Sequence, residues 1–306
     1  MTAHGIMFHH FHGGAYGISQ GSISAEQLDR MLEHVGLDRI LPAEEWYERA
    51  LADALEPHHL CLTFDDALRC QYEIAWPVLE SRGLTAFWFV YSSVFQGNIE
   101  ALEIYRNFRH ECFETIEHFY QVFEEACLAQ DTGGRIEDGL RRFDPSEYDD
   151  FPFYTFGDRR FRYLRDHILG PSLYHAAMES MLDRSGYDRL AAARKLWMDD
   201  NALLSLHNSG NIIGLHSFSH PTNIAGFSPM DQEQEYLRNA EHLVGLLGER
   251  PTAIGHPCNS YNSDTLAILA RMGIKLGFRA NMAMPQPPSL LEFPRIDHAV
   301  LVKEMI

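Results

Sequence analysis

Apolar and polar positions in the N-terminal third of the chain form a repeating order of short apolar runs and amphipathic stretches. Residues 5–11, 60–64 and 85–91 are runs with few polar side chains, and the last is almost entirely apolar. Strands without a polar face are typical of parallel sheets that helices cover on both sides. Residues 24–35 and 72–82 lie between the runs and have the pattern of helices, the first with a Ser-x-x-Gln capping motif. The pattern therefore predicts alternating strands and helices.

The same alternation resumes in the C-terminal third. Further strands are predicted at 211–215, 252–255, 275–278 and about 292–296, and further helices at 229–247 and 263–272. Roughly seven strands with intervening helices favour a distorted parallel (β/α)7 barrel over an open sheet. The stretch from about 97 to 205 differs, because it has helical periodicity and no comparable strand. We therefore expect one barrel domain over residues 1–306, with a largely helical insertion at about 97–205.

Composition excludes several classes of protein. Lys and Arg number 25 against 43 for Asp and Glu, and the net charge of -18 at pH 7 disfavours nonspecific attraction to nucleic acid or anionic lipid. Hydrophobic residues make up 45% of the chain, which supports a core and argues against disorder. No run reaches the ~18 apolar residues of a membrane span. We expect a globular protein that has no nucleic acid as partner and no membrane span, and the oligomeric state stays open.

Cysteine usage and the first residues bear on the compartment. The five cysteines include no Cys-x-x-Cys pair and form no disulfide-like framework. The N-terminal residues lack the basic leader and apolar core of a secretory signal. These features favour a cytoplasmic location.

Two adjacent carboxylates, Asp65 and Asp66, follow the apolar run at 60–64. Side chains alternate between faces along a strand, so neighbouring residues can share one site only where the strand ends and the backbone turns. Two carboxylates this close raise each other's pKa unless a cation lies beside them. A metal ion is the cation that the pattern favours, and its remaining ligands should be neutral side chains elsewhere in the chain.

His216 and His220 follow another apolar run and are the candidates for those neutral ligands. Their i, i+4 spacing predicts that they meet on one face of a short helical turn. Two structural histidines explain the spacing equally well by itself, and the unexplained Asp65-Asp66 pair tips the balance towards a metal site. Because the carboxyl ends of barrel strands meet at one face, all four side chains should converge there.

Three more histidines, His9, His10 and His12, follow the first predicted strand. They would line the rim of the same site if the barrel is correct. The alternative is a set of loop histidines that are hydrogen-bonded to the backbone.

These motifs resemble those of a known family. Thr-Phe-Asp-Asp at 63–66 and His-Ser-Phe-Ser-His-Pro at 216–221 look like the first two signature motifs of the polysaccharide deacetylases of carbohydrate esterase family 4, the NodB-homology family. Gly-His-Pro-Cys-Asn-Ser-Tyr-Asn at 255–262 stands where that family carries a Tyr-Pro-Tyr-Gly-like third motif. Met-Phe-His-His at 7–10 is similar to the strand-end Tyr-His of the surface-polysaccharide biosynthesis branch. The resemblance covers most of residues 1–96 and 206–300.

The resemblance implies roles for the first two motifs. It implies that Asp65 is the base and that Asp66, His216 and His220 hold a divalent metal ion. The ion would be zinc, with cobalt, nickel or iron as alternatives. A water bound to the metal would attack the substrate amide, and Asp65 would take its proton.

For the third motif, the resemblance implies that the backbone N–H of Cys258 polarises the substrate carbonyl, where the family uses a tyrosine through its backbone. The neighbouring Pro257 and Asn259 would contact substrate, and so would His9 and His12.

The late motif departs from the Leu-x-x-His-like pattern of the family. The chain has Pro-Arg-Ile-Asp-His at 294–298, which suggests His298 as the proton donor on the last strands and Arg295 as the residue that orients Asp65. His10 is the competing acid. A surface salt bridge from Arg295 to Asp297 or Glu292 is the alternative for the arginine.

The function implied is metal-dependent removal of an N-acetyl group from an amino sugar in a glycan or glycan precursor. Deformylation or cyclic-amide hydrolysis on the same fold is the alternative, and a non-enzymatic sugar-binding protein is a third reading. We also expect the insertion to cover the carboxyl face of the barrel and to narrow a groove into a pocket.

Overall fold

The computed structural model describes residues 2–148, 154–284 and 286–305. Its contacts divide the chain into two compact units. The first unit comprises Met1–Glu100 and Ala193–Ile306, and the second comprises Ala101–Ala192. These bounds are narrower than the insertion predicted at about 97–205.

The first unit is a nearly closed barrel of parallel strands. In the described residues the strands are β1 (His4–Phe8), β2 (Leu60–Asp65), β3 (Phe87–Val90), β4 (Ile212–Leu215), β5 (Ala253–Gly255), β6 (Leu276–Phe278) and β7 (Arg295–Asp297). Their order in the sheet is β6-β5-β4-β3-β2-β1-β7, and every pair is parallel. The predicted distorted (β/α)7 barrel is confirmed.

The gap between β6 and β7 is bridged by the segment that precedes β7. The N–H of Phe293 donates to Gly277 O and the N–H of Arg279 donates to Phe293 O, each at 2.8 Å. Backbone groups that would form an open sheet edge are therefore paired, which is the advantage of barrel closure.

The α-helices of the described residues follow in chain order. They are α1 (Ala25–Val35), α2 (Ala43–Leu51), α3 (Trp76–Ser81), α4 (Ala101–Glu111), α5 (Ile116–Gln130), α6 (Arg135–Leu140), α7 (Phe156–Tyr163), α8 (Gly170–Ser185), α9 (Arg189–Leu196), α10 (Asp200–Asn208), α11 (Pro229–Leu247), α12 (Ser263–Arg271) and α13 (His298–Glu304). Short 3₁₀ turns occur at Leu37–Arg39, Ser93–Gln96, Pro145–Tyr148, Ile224–Gly226 and Pro257–Asn259, and π-helical turns at Gln71–Ala75 and Leu164–Leu169. No described helix is long and apolar enough to cross a membrane.

Local signals explain the best-predicted helices. Ser24 and Gln27 form the reciprocal capping box at the start of α1. The buried residues of α1 recur at helical spacing, so that one stripe faces the core: Leu28, Met31, Leu32 and Val35. The hydroxyl of Ser228 accepts a hydrogen bond from the Asp231 N–H and caps α11.

An aromatic core fixes the neighbouring strands of the barrel. The rings of Phe64 on β2 and Trp88 on β3 stack with centroids 4.2 Å apart. On the other face of β3, Phe89 packs against Gly214 and Gly255. A Cβ atom at Gly214 would lie 2.8 Å from the Phe89 ring, and one at Gly255 would lie 2.6 Å from it. Glycine on β4 and β5 therefore leaves room for the Phe89 ring at the positions that precede the candidate site.

Three elements differ from the sequence-based prediction. The helix expected over 72–82 begins as a π-helical turn and becomes α3 only at Trp76. Helix α2 was not predicted. The last strand is shorter and later than 292–296, and α13 begins at His298, because Asp297 caps it through the Ala299 N–H. His298, which was expected on the last strands, is thus the first residue of α13.

The second unit is helical and has an aromatic core of its own. Phe161 on α7 lies between Phe119 and Tyr120 of α5, with ring centroids 5.5 and 4.8 Å away. The Arg160 guanidinium pairs with Glu124, with its Nε 2.6 Å from Oε2. The described residues of this unit form helices and no strand, as the periodicity of this stretch predicted.

Candidate active site

The carboxyl ends of β1, β2 and β4 bring five polar side chains together. Asp66 Oδ1 lies 3.4 Å from both His216 Nε2 and His220 Nε2. Asp65 Oδ2 lies 3.8 Å from His9 Nε2 and 4.0 Å from His216 Nε2. The convergence expected from strand-end residues is therefore present for these five.

The backbone turns sharply where β2 ends, and this allows both carboxylates to face one site. Asp65 is the last residue of β2, while Asp66 and Ala67 have φ of 78° and 53°. The N–H of Asp66 donates to Phe89 O at 3.0 Å, which ties the turn to β3. Left-handed backbone is costly for residues other than glycine, and such strain is concentrated at functional sites.

The loop after β4 is strained in the same way and is not helical. Ser217 and His220 have φ of 63° and 55°. The expectation of a helical turn that aligns His216 with His220 is therefore wrong. The two rings, with centroids 5.0 Å apart, meet because a tight irregular loop folds back on itself. Spacing alone could not distinguish this loop from a helical turn.

Helix α11 holds that loop through two residues that sequence reasoning missed. The Glu235 carboxylate accepts hydrogen bonds from the N–H groups of Phe218 and Ser219, at 3.0 and 2.8 Å. Asn239, fully buried, accepts from the His216 N–H at 2.9 Å and donates to Val90 O. A polar pair at i, i+4 on an otherwise amphipathic helix was the available signal.

The geometry of Asp66, His216 and His220 suits a divalent metal ion. His216 Nδ1–H donates to Gly255 O at 2.7 Å, so its Nε2 carries the lone pair that faces Asp66. Asp66 Oδ1 is buried and has no hydrogen-bond donor among the described residues. A tetrahedral zinc ion with bonds of about 2.0–2.2 Å places its ligands about 3.3–3.6 Å apart. The observed 3.4 Å separations match, and the three residues fit such an ion.

Asp65 differs from Asp66 because a guanidinium occupies both of its oxygens. Arg295 Nη1 donates to Asp65 Oδ1 at 2.6 Å and Nη2 donates to Oδ2 at 2.8 Å. Arg295 is fully buried, and its remaining donors bind Arg279 O and Thr63 Oγ1. The surface salt bridge considered for Arg295 is not what the structure shows. Its position on β7, next to β1, brings it across the barrel interior to Asp65.

Burial and charge act on Asp65 in opposite directions. Burial alone would raise the pKa of its carboxyl group, but the Arg295 guanidinium and its two hydrogen bonds outweigh burial and lower the pKa below the ordinary value. Asp65 is therefore ionised at neutral pH, with one oxygen near His9 and His216.

Gln71, which sequence reasoning also missed, ties two strand ends together. Its Nε2 donates to His9 O at 2.8 Å and to Asp65 O at 2.6 Å, and its side chain is fully buried. Gln71 opens the π-helical turn that follows β2, a rare geometry that is frequent at functional sites. The turn points the amide of Gln71 back at the site.

The third motif presents an unpaired backbone donor. Cys258 and Asn259 have φ of 50° and 55°, and no acceptor for the Cys258 N–H is found among the described residues. Cys258 is exposed, and its partial desolvation, with the charges of Asp66, Glu100 and Asp65, raises the pKa of its thiol to about 11, so the group is a neutral thiol. Asn259 Oδ1 accepts from the Ala280 N–H, and Pro257 is buried.

The remaining predicted histidines lie in different surroundings. His298 is buried, with Nδ1 3.2 Å from Met7 O and Nε2 2.8 Å from Gly21 O, and burial lowers its pKa. His12 Nδ1 is 2.9 Å from Ser22 Oγ. The rings of His9 and His10 stack with centroids 6.3 Å apart. Of the late motif, the structure brings Arg295 to the carboxylates, whereas both ring nitrogens of His298 face backbone carbonyls.

Comparison with known proteins agrees with this site. The family model described as polysaccharide deacetylase matches residues 175–277, a stretch that contains His216 and His220. No curated protein sequence matches the chain. This family-model match agrees with the resemblance that the motifs indicated, and solved structures described as deacetylases share the fold.

Three of these structures span nearly the whole chain. The Streptococcus pyogenes deacetylase PplD, solved in complex with acetate, has a TM-score of 0.56 and 17% identity, covering 100% of this chain and 99% of that one. IcaB from Ammonifex degensii has a TM-score of 0.53 and 13% identity, covering 97% and 91%. A de-N-acetylase from Aggregatibacter actinomycetemcomitans has a TM-score of 0.56 and 12% identity, covering 99% of each chain. At these identities the likeness establishes the fold.

Proposed function

We propose that the protein is a metal-dependent hydrolase that removes an N-acetyl group from an amino sugar in a glycan or glycan precursor. One observation carries the proposal: a buried Asp66 oxygen, which receives no hydrogen bond from the residues that the structure describes, faces two imidazole nitrogens, beside an Asp65 that Arg295 keeps ionised. A carboxylate reserved for a cation and a second carboxylate reserved for a proton are the two parts that metal-assisted amide hydrolysis needs.

Asp66, His216 and His220 would hold the ion, and zinc suits two imidazoles and one carboxylate with coordination positions left open. Cobalt, nickel and iron are the alternatives. When bound, the ion would supply Lewis acidity for a water nucleophile and for the substrate carbonyl. Gly255 O would fix the tautomer of His216, which keeps Nε2 as the ligand atom.

Asp65 would take the proton of the attacking water. Each of its oxygens accepts one hydrogen bond from Arg295 and keeps a second lone pair, and Oδ2 faces His9 and His216, so the carboxylate can still accept that proton. The Cys258 N–H would donate to the carbonyl oxygen as negative charge develops there, a backbone role that tolerates cysteine in place of tyrosine.

His9 is our candidate for the proton donor to the departing amine. Its Nε2 lies 3.8 Å from Asp65 Oδ2, and its side chain is 28% exposed, so it can reach both the base and a substrate. His298 is a weaker candidate, since both of its ring nitrogens face backbone carbonyls. His10 stays the competing acid from the same strand end.

The nature of the acyl group and of the sugar belongs to the same proposal. Acetate is bound in the similar structure of PplD, which supports acetyl over formyl as the group removed. A cytoplasmic location, and a pocket narrowed by the helical insertion, stay predictions from the sequence.

The test is product release from a substrate panel. The zinc-loaded protein is incubated with N-acetyl and N-formyl amino sugars, free, nucleotide-linked and oligomeric, and with a cyclic amide, and acetate, formate or ring opening is measured. We expect acetate from at least one amino sugar and none from Asp65→Asn. Asn239→Ser, which changes a residue away from the proton path, should retain chemistry at reduced metal affinity. Acetate release by Asp65→Asn at the wild-type rate would exclude Asp65 as base.

A further inference from the structure

We propose that Tyr91 and Trp197 form a positioning pair that holds the two loops of the metal site in register. The inference rests on the metal site of the proposed function and assigns two residues that lie behind it. Neither residue belongs to the signature motifs, and Trp197 is more than a hundred residues from Tyr91 in sequence.

The segment that carries Trp197 contacts the turn after β2. Trp197 forms an antiparallel bridge with Leu68, and the N–H of Met198 donates to Ala67 O at 2.9 Å. Arg69 adds a bond from its Nε to Trp197 O at 3.1 Å. This segment therefore pins the backbone directly after Asp66.

The pinned turn is the strained one. Asp66 and Ala67 both have positive φ, which costs energy that the surrounding structure must supply. The hydrogen bond to Ala67 O and the bridge to Leu68 are interactions that supply it. Loosening the Trp197 segment should let the Asp66 carboxylate leave the orientation in which its Oδ1 faces the two imidazoles.

The side chains of Trp197 and Tyr91 connect this segment to His220. Trp197 Nε1 donates to Tyr91 Oη at 2.5 Å, and both side chains are buried. The Tyr91 ring packs against the His220 ring, with centroids 5.1 Å apart at an interplanar angle of 36°. Trp197 thereby reaches the second ligand loop through Tyr91. His220 also has positive φ, a strained backbone conformation that surrounding contacts such as the Tyr91 ring must stabilise.

Trp197 thus contacts the turn after Asp66 through its backbone. Through its indole it supports Tyr91, which packs against His220. Second-layer partners that orient metal ligands typically affect metal affinity by about 10- to 100-fold. We expect an effect near the lower end for loss of the Trp197–Tyr91 hydrogen bond, because the Met198 to Ala67 bond remains.

The experiment measures zinc affinity directly, by competition with a chromophoric chelator, for Tyr91→Phe and Trp197→Phe. Each variant removes one partner of the hydrogen bond and keeps an aromatic ring. The chain offers matched controls: Tyr236→Phe and Trp46→Phe delete a buried Oη and a buried Nε1 that have no hydrogen-bond partner in the described part of the chain. Urea midpoints are measured for all four variants, so that affinity can be compared with stability.

We expect both test variants to bind zinc about tenfold more weakly than wild type, with the double variant no weaker than the weaker single one, and both controls to stay within about twofold. Wild-type zinc affinity in both test variants would overturn the inference and leave the proposed function standing. A zinc affinity that falls together with the urea midpoint, in the test variants and in the controls, would also overturn the inference. Failure of the wild-type protein to bind any divalent ion would instead refute the proposed function, and the inference with it.

Discussion

Replacing Arg295 with methionine should give a loss of stability that depends on pH. The substitution keeps a buried, unbranched side chain but removes the guanidinium that pairs with Asp65. Two hydrogen bonds to a charged group are lost, at about 1.5–3 kcal/mol each, and a buried carboxylate is left without a counterion. Removing one partner of a buried ion pair costs about 3–5 kcal/mol in total, with the lost hydrogen bonds included. We therefore expect about 3–5 kcal/mol of destabilisation at pH 7.

The sign of the pH dependence follows from the pKa of Asp65. In the wild-type protein this pKa is lowered, so the contribution of Asp65 to stability is present above the unfolded pKa of about 3.9 and is lost as the pH falls through the folded pKa. Without Arg295, burial would raise the pKa above 3.9. The contribution of Asp65 would then be present at low pH and lost as the pH rises through the raised value.

The assay is urea unfolding of the metal-free wild-type and variant proteins between pH 4 and pH 7. The difference in free energy of unfolding between wild type and variant should grow across this range. It should grow by about 1.4 kcal/mol per pH unit wherever the native variant and the native wild-type protein differ by one bound proton. Arg279→Met is the matched control, because Arg279 is buried but bonds to backbone carbonyls of Glu292 and Met284. A difference for Arg295→Met that is as independent of pH as that of Arg279→Met would refute the reasoning.

Two further predictions concern proton delivery and the carbonyl site. His9→Gln should lower kcat by about 10²- to 10⁴-fold, the usual contribution of a positioned acid, and should leave zinc binding intact. His298→Gln should act mainly on thermal stability. The reverse pattern in steady-state kinetics would assign the acid to His298. Cys258→Ala should retain kcat/KM within about threefold, since the backbone N–H is unchanged, and a loss beyond about a hundredfold would mean that the thiol itself takes part.

The barrel and the candidate metal ligands could be predicted because each rested on a local pattern with a physical cause. Apolar runs predicted strands that are buried on both faces. Because β2 and β4 are parallel, the polar residues at their carboxyl ends lie at the same end of the barrel. Asp65, Asp66, His216 and His220 were found in this way, and the structure brings them together.

The supporting residues could not be predicted, because their partners are distant in sequence. Glu235 and Asn239 are recognisable only once α11 is packed against the loop after β4, and Gln71 only once the π-helical turn directs it at His9 O. The environment of His298 was missed for a related reason. Whether a residue ends a strand or begins a helix depends on capping by its neighbour, here Asp297, and boundaries are the weakest part of any pattern.

The central claim is that one divalent ion, held by Asp66, His216 and His220, is required for amide hydrolysis. The most direct measurement titrates the metal-free protein with zinc while acetate release from the best amino-sugar substrate is followed. We predict that activity rises linearly and reaches its plateau at about one ion per chain, and that His220→Ala stays folded but neither binds zinc at that stoichiometry nor gains activity. Full acetate release by the metal-free protein, or an unchanged titration for His220→Ala, would contradict the account.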